Sequence, residues 1–117
     1  YGFAGHAGWS FVRNIATTDT DTELVAAPAA GSGRELMVQH LTVTITTAAA
    51  QALNIEDDAS SGPVQLFAAP GSLAVGTWTV DCGPLGVALT TEQALQFDTA
   101  AAGVGATISG FGYYREA

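Results

Sequence analysis

Leu41-Thr42-Val43-Thr44-Ile45-Thr46 decides the fold. Three aliphatic residues alternate with three threonines. A period of two places the aliphatic side chains on one face of an extended strand and the hydroxyls on the other. The pattern recurs along the chain: Leu53 and Ile55 alternate with Asn54 and Glu56, and Val64 and Leu66 follow Gly62-Pro63. Trp78, Val80 and Cys82 alternate with Thr77, Thr79 and Asp81, and Leu95 and Phe97 with Gln96 and Asp98. Residues 104–114 read as a final strand whose end is bent by Gly110 and Gly112. Shorter strands are expected near residues 9–15, 23–26 and 87–89. Turn signals at 27–33, 57–62, 69–72, 82–84 and 101–103 separate these runs. Helix is expected only in short pieces, at 47–52 or 91–94. The expectation is therefore all-β: a jelly-roll-like antiparallel β-sandwich of about eight strands with an N-terminal arm.

One parity does not fit. Leu36 and Val38 lie in step with the threonines, whereas Leu41, Val43 and Ile45 take the other face. Either a bulge near Gln39-His40 switches the parity, or both faces are covered where the strand begins. The second arrangement would place Leu36 and Val38 at an intersubunit contact; the bulge is favoured.

Composition narrows the function. The 117 residues carry a net charge of −8, and only 12% are charged. Every positive side chain is an arginine, at 13, 34 and 115. No basic patch can be assembled, so neither nucleic acid nor an anionic membrane is an expected partner. No apolar run approaches the roughly 20 residues of a membrane span, and no basic start precedes an apolar stretch as in a signal peptide. The length suits one core without disulfide or metal support, and the single cysteine, Cys82, gives no disulfide framework. A surface so poor in charge fits a protein packed against copies of itself or a larger assembly.

No constellation supports catalysis. Asp19-Thr20-Asp21-Thr22-Glu23 has alternate acids like a calcium loop, but Leu24 stands where the loop needs glycine and Ala30 where it needs glutamate. Glu56-Asp57-Asp58 reads as acids ending a strand and making a turn. Glycosidase chemistry would need two carboxyl groups facing each other across a cleft. His6, His40 and Cys82 are too few for a zinc cluster. Cys82 reads as a buried, inert thiol, and Gly-x-Ser-x-Gly is absent. No enzyme, cofactor or metal is expected.

The only compositional boundary falls near residue 12. Residues 1–12 form a Gly-rich aromatic arm or first strand, and residues 13–117 the β-sandwich domain. Tyr1, Phe3, Trp9 and Phe11 give that segment apolar surface that needs a partner, in its own domain or in a neighbour. Phe111 and Tyr113 share a face opposite Ile108, and coverage by a neighbouring subunit is the expected reading. Together with Leu36 and Val38, these six are the candidate interface residues.

Three further pieces stand out: Gly83-Pro84-Leu85-Gly86-Val87-Ala88-Leu89, Gln93-Ala94-Leu95-Gln96-Phe97 and Gly103-Val104-Gly105-Ala106-Thr107-Ile108-Ser109-Gly110-Phe111. In these the chain resembles small structural proteins of tailed-phage virions. The resemblance implies a jelly-roll head decoration (cement) protein without catalytic residues, a homotrimer on the outer capsid surface bound to the major capsid protein. Two other readings share the pattern. One is a carbohydrate- or receptor-binding fibre or tail module. The other is an extracellular filament subunit whose N-terminal segment is donated to the next copy.

Overall fold

The alternating segments form nine strands in a computed structural model, which describes residues 7–69, 71 and 73–116. They are β1 (Gly8–Ile15), β2 (Asp21–Val25), β3 (Arg34–Thr47), β4 (Leu53–Asp57), β5 (Gln65–Ala69), β6 (Gly76–Asp81), β7 (Val87–Ala88), β8 (Leu95–Thr99) and β9 (Gly105–Glu116). Neither 47–52 nor 91–94 is helical; the former ends β3 and enters a bend, and the latter is a turn.

Two antiparallel sheets result. One has the order β1-β9-β3-β6, with β7 also paired to β3; the other has the order β2-β8-β4-β5. The first strand thus pairs with the last, β2 with β8, β3 with β6 and β7, and β4 with β5. The chain behaves as one long antiparallel ribbon, its tip at residues 58–64, wound so that successive strand pairs along the ribbon (β1–β9, β2–β8, β3–β6, β4–β5) fall in alternate sheets. That winding is a jelly roll, with one short extra strand at the β6 edge.

The core lies between the sheets. Leu41, Val43 and Ile45 of β3 and Ile108 of β9 face Leu53 and Ile55 of β4 and Leu95 and Phe97 of β8, all essentially without exposure. β3 is paired with β9 over most of its length, and the register breaks between Val38 and His40, skipping Gln39. This bulge resets the parity, so that Leu36 and Val38 join the same core as Leu41, Val43 and Ile45. The other face of the strand's start is also covered: Glu35 and Met37 are buried. Leu36 and Val38 are therefore enclosed by their own domain and present no surface for an intersubunit contact.

Gly110 and Gly112 stay in β9, which keeps its pairing through Glu116. Their role is room. On β1, Phe11 stands opposite Gly110 and Trp9 opposite Gly112, and both rings lie over the bare backbone. The Trp9 indole N–H donates to the Tyr113 carbonyl at 3.2 Å. At the end of the β3–β9 pair, Arg115 closes on the buried Glu35, its Nε at 3.0 Å from Oε1. Arg34 lies 4.9 Å from the Tyr114 ring centroid and 3.8 Å from the Glu116 carboxylate.

Candidate contact faces

The two sheets turn chemically different faces outward. In the β2-β8-β4-β5 sheet, one cross-strand row reads Asp21, Asp98, Asn54 and the next Glu23, Gln96, Glu56. Among the described residues these rows carry four carboxylates and no cation. Burial and then the neighbouring Asp21 and Glu56 charges push the Asp98 carboxyl above its ordinary value. An acid whose folded value is raised costs stability once it ionises, so the cost is present at neutral pH and fades as pH falls through the raised value. Asp98→Asn therefore stabilises the protein at pH 7, by on the order of 0.5 kcal/mol for a partly screened site. Thermal melts at neutral and acidic pH check this, the gain disappearing in acid.

The β1-β9-β3-β6 sheet is different. Its outward rows read Ser10, Phe111, His40, Asp81, then Val12, Ser109, Thr42, Thr79, then Asn14, Thr107, Thr44, Thr77. Only Asp81, at the β6 edge, is acidic, and its carboxylate is held by the Gly83 N–H at 2.9 Å. The face is a lawn of hydroxyls with exposed Val12 and Phe111. Phe111 stacks on His40, with centroids 5.7 Å apart and planes 16° from parallel. The His40 Nε2 lies 3.4 Å from the Thr42 hydroxyl.

The candidate interface residues separate sharply on these faces. Phe111 is 42% exposed and Phe11 is half-buried, whereas Trp9 and Tyr113 are buried. Tyr113 shares the parity of Phe111 but is covered from within its own chain: its hydroxyl donates to the Leu85 carbonyl at 2.7 Å. The covering loop is fixed by Gln39, whose Nε2 donates to the Pro84 carbonyl at 2.7 Å. Its apex leaves Leu85 71% exposed beside the partly exposed Val87, two residues that alternation alone did not single out. Tyr1 and Phe3 lie outside the described residues, while residues 8–12 are hydrogen-bonded into their own sheet as part of β1. With Trp9 and Tyr113 buried, Phe111 is the exposed aromatic in the outward rows of this sheet among the described residues.

The remaining chemistry is structural. Burial, and then the Asp81 charge, push the thiol of the half-buried Cys82 up, which disfavours its thiolate form. Among the described residues no group of His, Cys, Asp or Glu has the geometry of a metal site. Asp19 closes a turn by accepting the Ala16 N–H at 2.9 Å. Glu92, in the left-handed region with φ 61°, accepts the N–H groups of Gly31 and Gly33, each at 2.8 Å. Those two bonds hold its carboxyl below the usual value and lash the 27–33 loop to the turn before β8.

The architecture is that of a two-sheet jelly roll with one acidic outer face and one that is mostly hydroxyl-bearing and poor in charge. No family model matches the chain, and no curated protein matches it. Among solved structures, a chain of the acidic stable capsid structure of Helicobacter pylori bacteriophage KHP30 is similar, with a TM-score of 0.61 and 12% sequence identity. The match spans 95% of this chain and 94% of that one. At that identity the likeness is one of fold.

Proposed function

We propose that the chain is a non-enzymatic phage virion structural protein that decorates the outer capsid as a homotrimer and cements it by bridging shell subunits. The observation that carries this reading is the near end-to-end likeness of its fold to a chain of a phage capsid structure. Charge supports it. A body with a net charge of −8 is repelled by packaged DNA, which favours an outward position. The charge-poor sheet face, with Phe111 and the Leu85 apex at one end and Asp81 at the β6 edge, is the surface that loses least on desolvation. Bridging then multiplies modest contacts through effective concentration, because separating two shell subunits also requires breaking the contacts of the bridge.

Co-sedimentation with capsids stripped of minor proteins tests the proposal. The expected result is saturable binding and a higher temperature of shell disruption. Phe111→Asp, at an exposed position where folding is changed little, weakens binding at least about tenfold, the effect of a desolvated aromatic contact worth more than about 1.4 kcal/mol. Failure of the purified protein to associate with shells overturns the reading.

A further inference from the structure

Sheet edges are open templates for another strand, and proteins ordinarily guard them with charges, prolines, bulges or short length. Among the described residues the two sheets have four edges, and three of them are guarded. β2 is five residues long, carries Asp21 and Glu23, and is bulged against β8. β5 is five residues long and meets β4 across a register shift. β6 is six residues long and ends on Asp81. β1 is the exception: eight residues in unbroken register with β9, with neither proline nor carboxylate.

The direction of its free groups follows from pairing. The Tyr114 N–H donates to the Ala7 carbonyl at 2.9 Å. In an antiparallel ladder, bonded pairs recur at every second residue, so Trp9, Phe11, Arg13 and Ile15 spend their backbone groups on β9. Gly8, Ser10, Val12 and Asn14 therefore aim theirs outward from the sheet, and all four residues are exposed. Arg13 adds a second observation. Arg34 and Arg115 both meet carboxylates, whereas Arg13 is exposed with no ion pair among the described residues of an otherwise acidic chain.

We infer that β1 pairs antiparallel with β1 of a second copy of this chain, about a two-fold axis at Phe11, to make one continuous sheet through both molecules. In that register Gly8 meets Asn14 and Ser10 meets Val12 of the second copy, so all four outward residues on each side are bonded. Arg13 of each copy then stands opposite Trp9 of the other, a cross-strand pairing of cation and indole. A two-fold seam brings like residues together, which the carboxylates of β2 and β6 forbid to those edges and the composition of β1 permits. The contact goes beyond capsid attachment and does not depend on it. It joins copies in pairs, so a three-fold contact elsewhere on the molecule is compatible with it.

Light scattering coupled to size exclusion tests the seam through Val12→Pro. The lost N–H points away from β9, so the variant removes an outward donor while leaving the β1–β9 ladder intact. The expected result is a particle mass half that of the unmodified protein, with unchanged circular dichroism. Hydrogen exchange on the unmodified chain supplies a measurement that needs no variant. The amides of Gly8, Ser10, Val12 and Asn14 gain protection as concentration rises, while those of Trp9, Phe11 and Arg13 are protected throughout. An unmodified chain whose four outward amides exchange at the same rate at every concentration overturns the seam. So does a folded Val12→Pro variant of unchanged mass, or one whose mass falls to a third. A negative result here leaves shell binding to stand or fall by co-sedimentation.

Discussion

Replacing Gly112 by alanine destabilises the protein by at least about 3 kcal/mol, the upper range for forcing a methyl group into a filled site. The new Cβ would lie inside the Met37 carbonyl oxygen and 2.5 Å from the Trp9 Cζ2. Neither neighbour yields cheaply. The Met37 carbonyl belongs to β3 where it pairs with both β9 and β7, and the Trp9 ring is buried and anchored by its bond to Tyr113. Moving the first disturbs the β3–β9 pairing, and moving the second the β1–β9 pairing. Gly71→Ala is the matched control. No atom lies within 4 Å of its Cβ position and its φ is unremarkable, so its effect falls within about 0.5 kcal/mol of zero or is slightly stabilising. Urea denaturation of the two variants checks the pair of outcomes, and the Gly112 variant shifts the thermal midpoint down by roughly 10 °C.

Which parts of this were legible from the sequence depends on how local their causes are. Period-two alternation and turn chemistry act over a few residues, and the nine strands lie where those signals put them. The bulge at Gln39 was legible too, because a mismatch of parity between Val38 and Leu41 has few remedies. What was not legible is non-local. Phe111 and Tyr113 have the same parity in β9, yet one is exposed and the other buried. The difference is a hydrogen bond to Leu85, 28 residues away. Likewise Gly110 and Gly112 read as a bend because glycine in a strand lacks a packing side chain. The rings that fill the gap come from β1, at the opposite end of the chain. The charge-poor face needed the strand order itself, since Ser10, Phe111 and His40 become one row only after β1, β9 and β3 are laid side by side.

Asp57 had a local signal that the turn reading absorbed. It continues the inward parity of Leu53 and Ile55, and it is fully buried. One carboxylate oxygen does make the expected Asx-type turn, accepting the Ala59 N–H at 3.1 Å. The other accepts both the Thr90 N–H at 2.8 Å and the Thr90 hydroxyl at 2.6 Å. The ribbon's tip is thereby stapled to the segment after β7, where the Leu89 N–H also donates to the Leu36 carbonyl at 2.9 Å. Through β7 that segment continues from the 82–86 loop that covers Tyr113 and presents Leu85.

Asp57→Ala accordingly costs about 3 kcal/mol, the scale for stripping a charged acceptor from several donors, and it loosens the loop at the apolar end of the contact face. The ionisation of Asp57 gives this an acid signature. Burial raises its carboxyl, but the Thr90 hydroxyl and N–H and the Ala59 and Val64 backbone outweigh burial and hold it below the ordinary value. A depressed folded value means the stabilisation is complete above the unfolded carboxyl range, near pH 4, and is lost as pH falls through the lower folded value. Asp57→Asn keeps an acceptor and removes the charge. It lies between the native chain and Asp57→Ala at neutral pH and converges on the native chain in acid. Denaturation midpoints across that range measure the convergence; parallel curves for the native and Asp57→Asn chains would show that the carboxylate charge does not contribute to the staple.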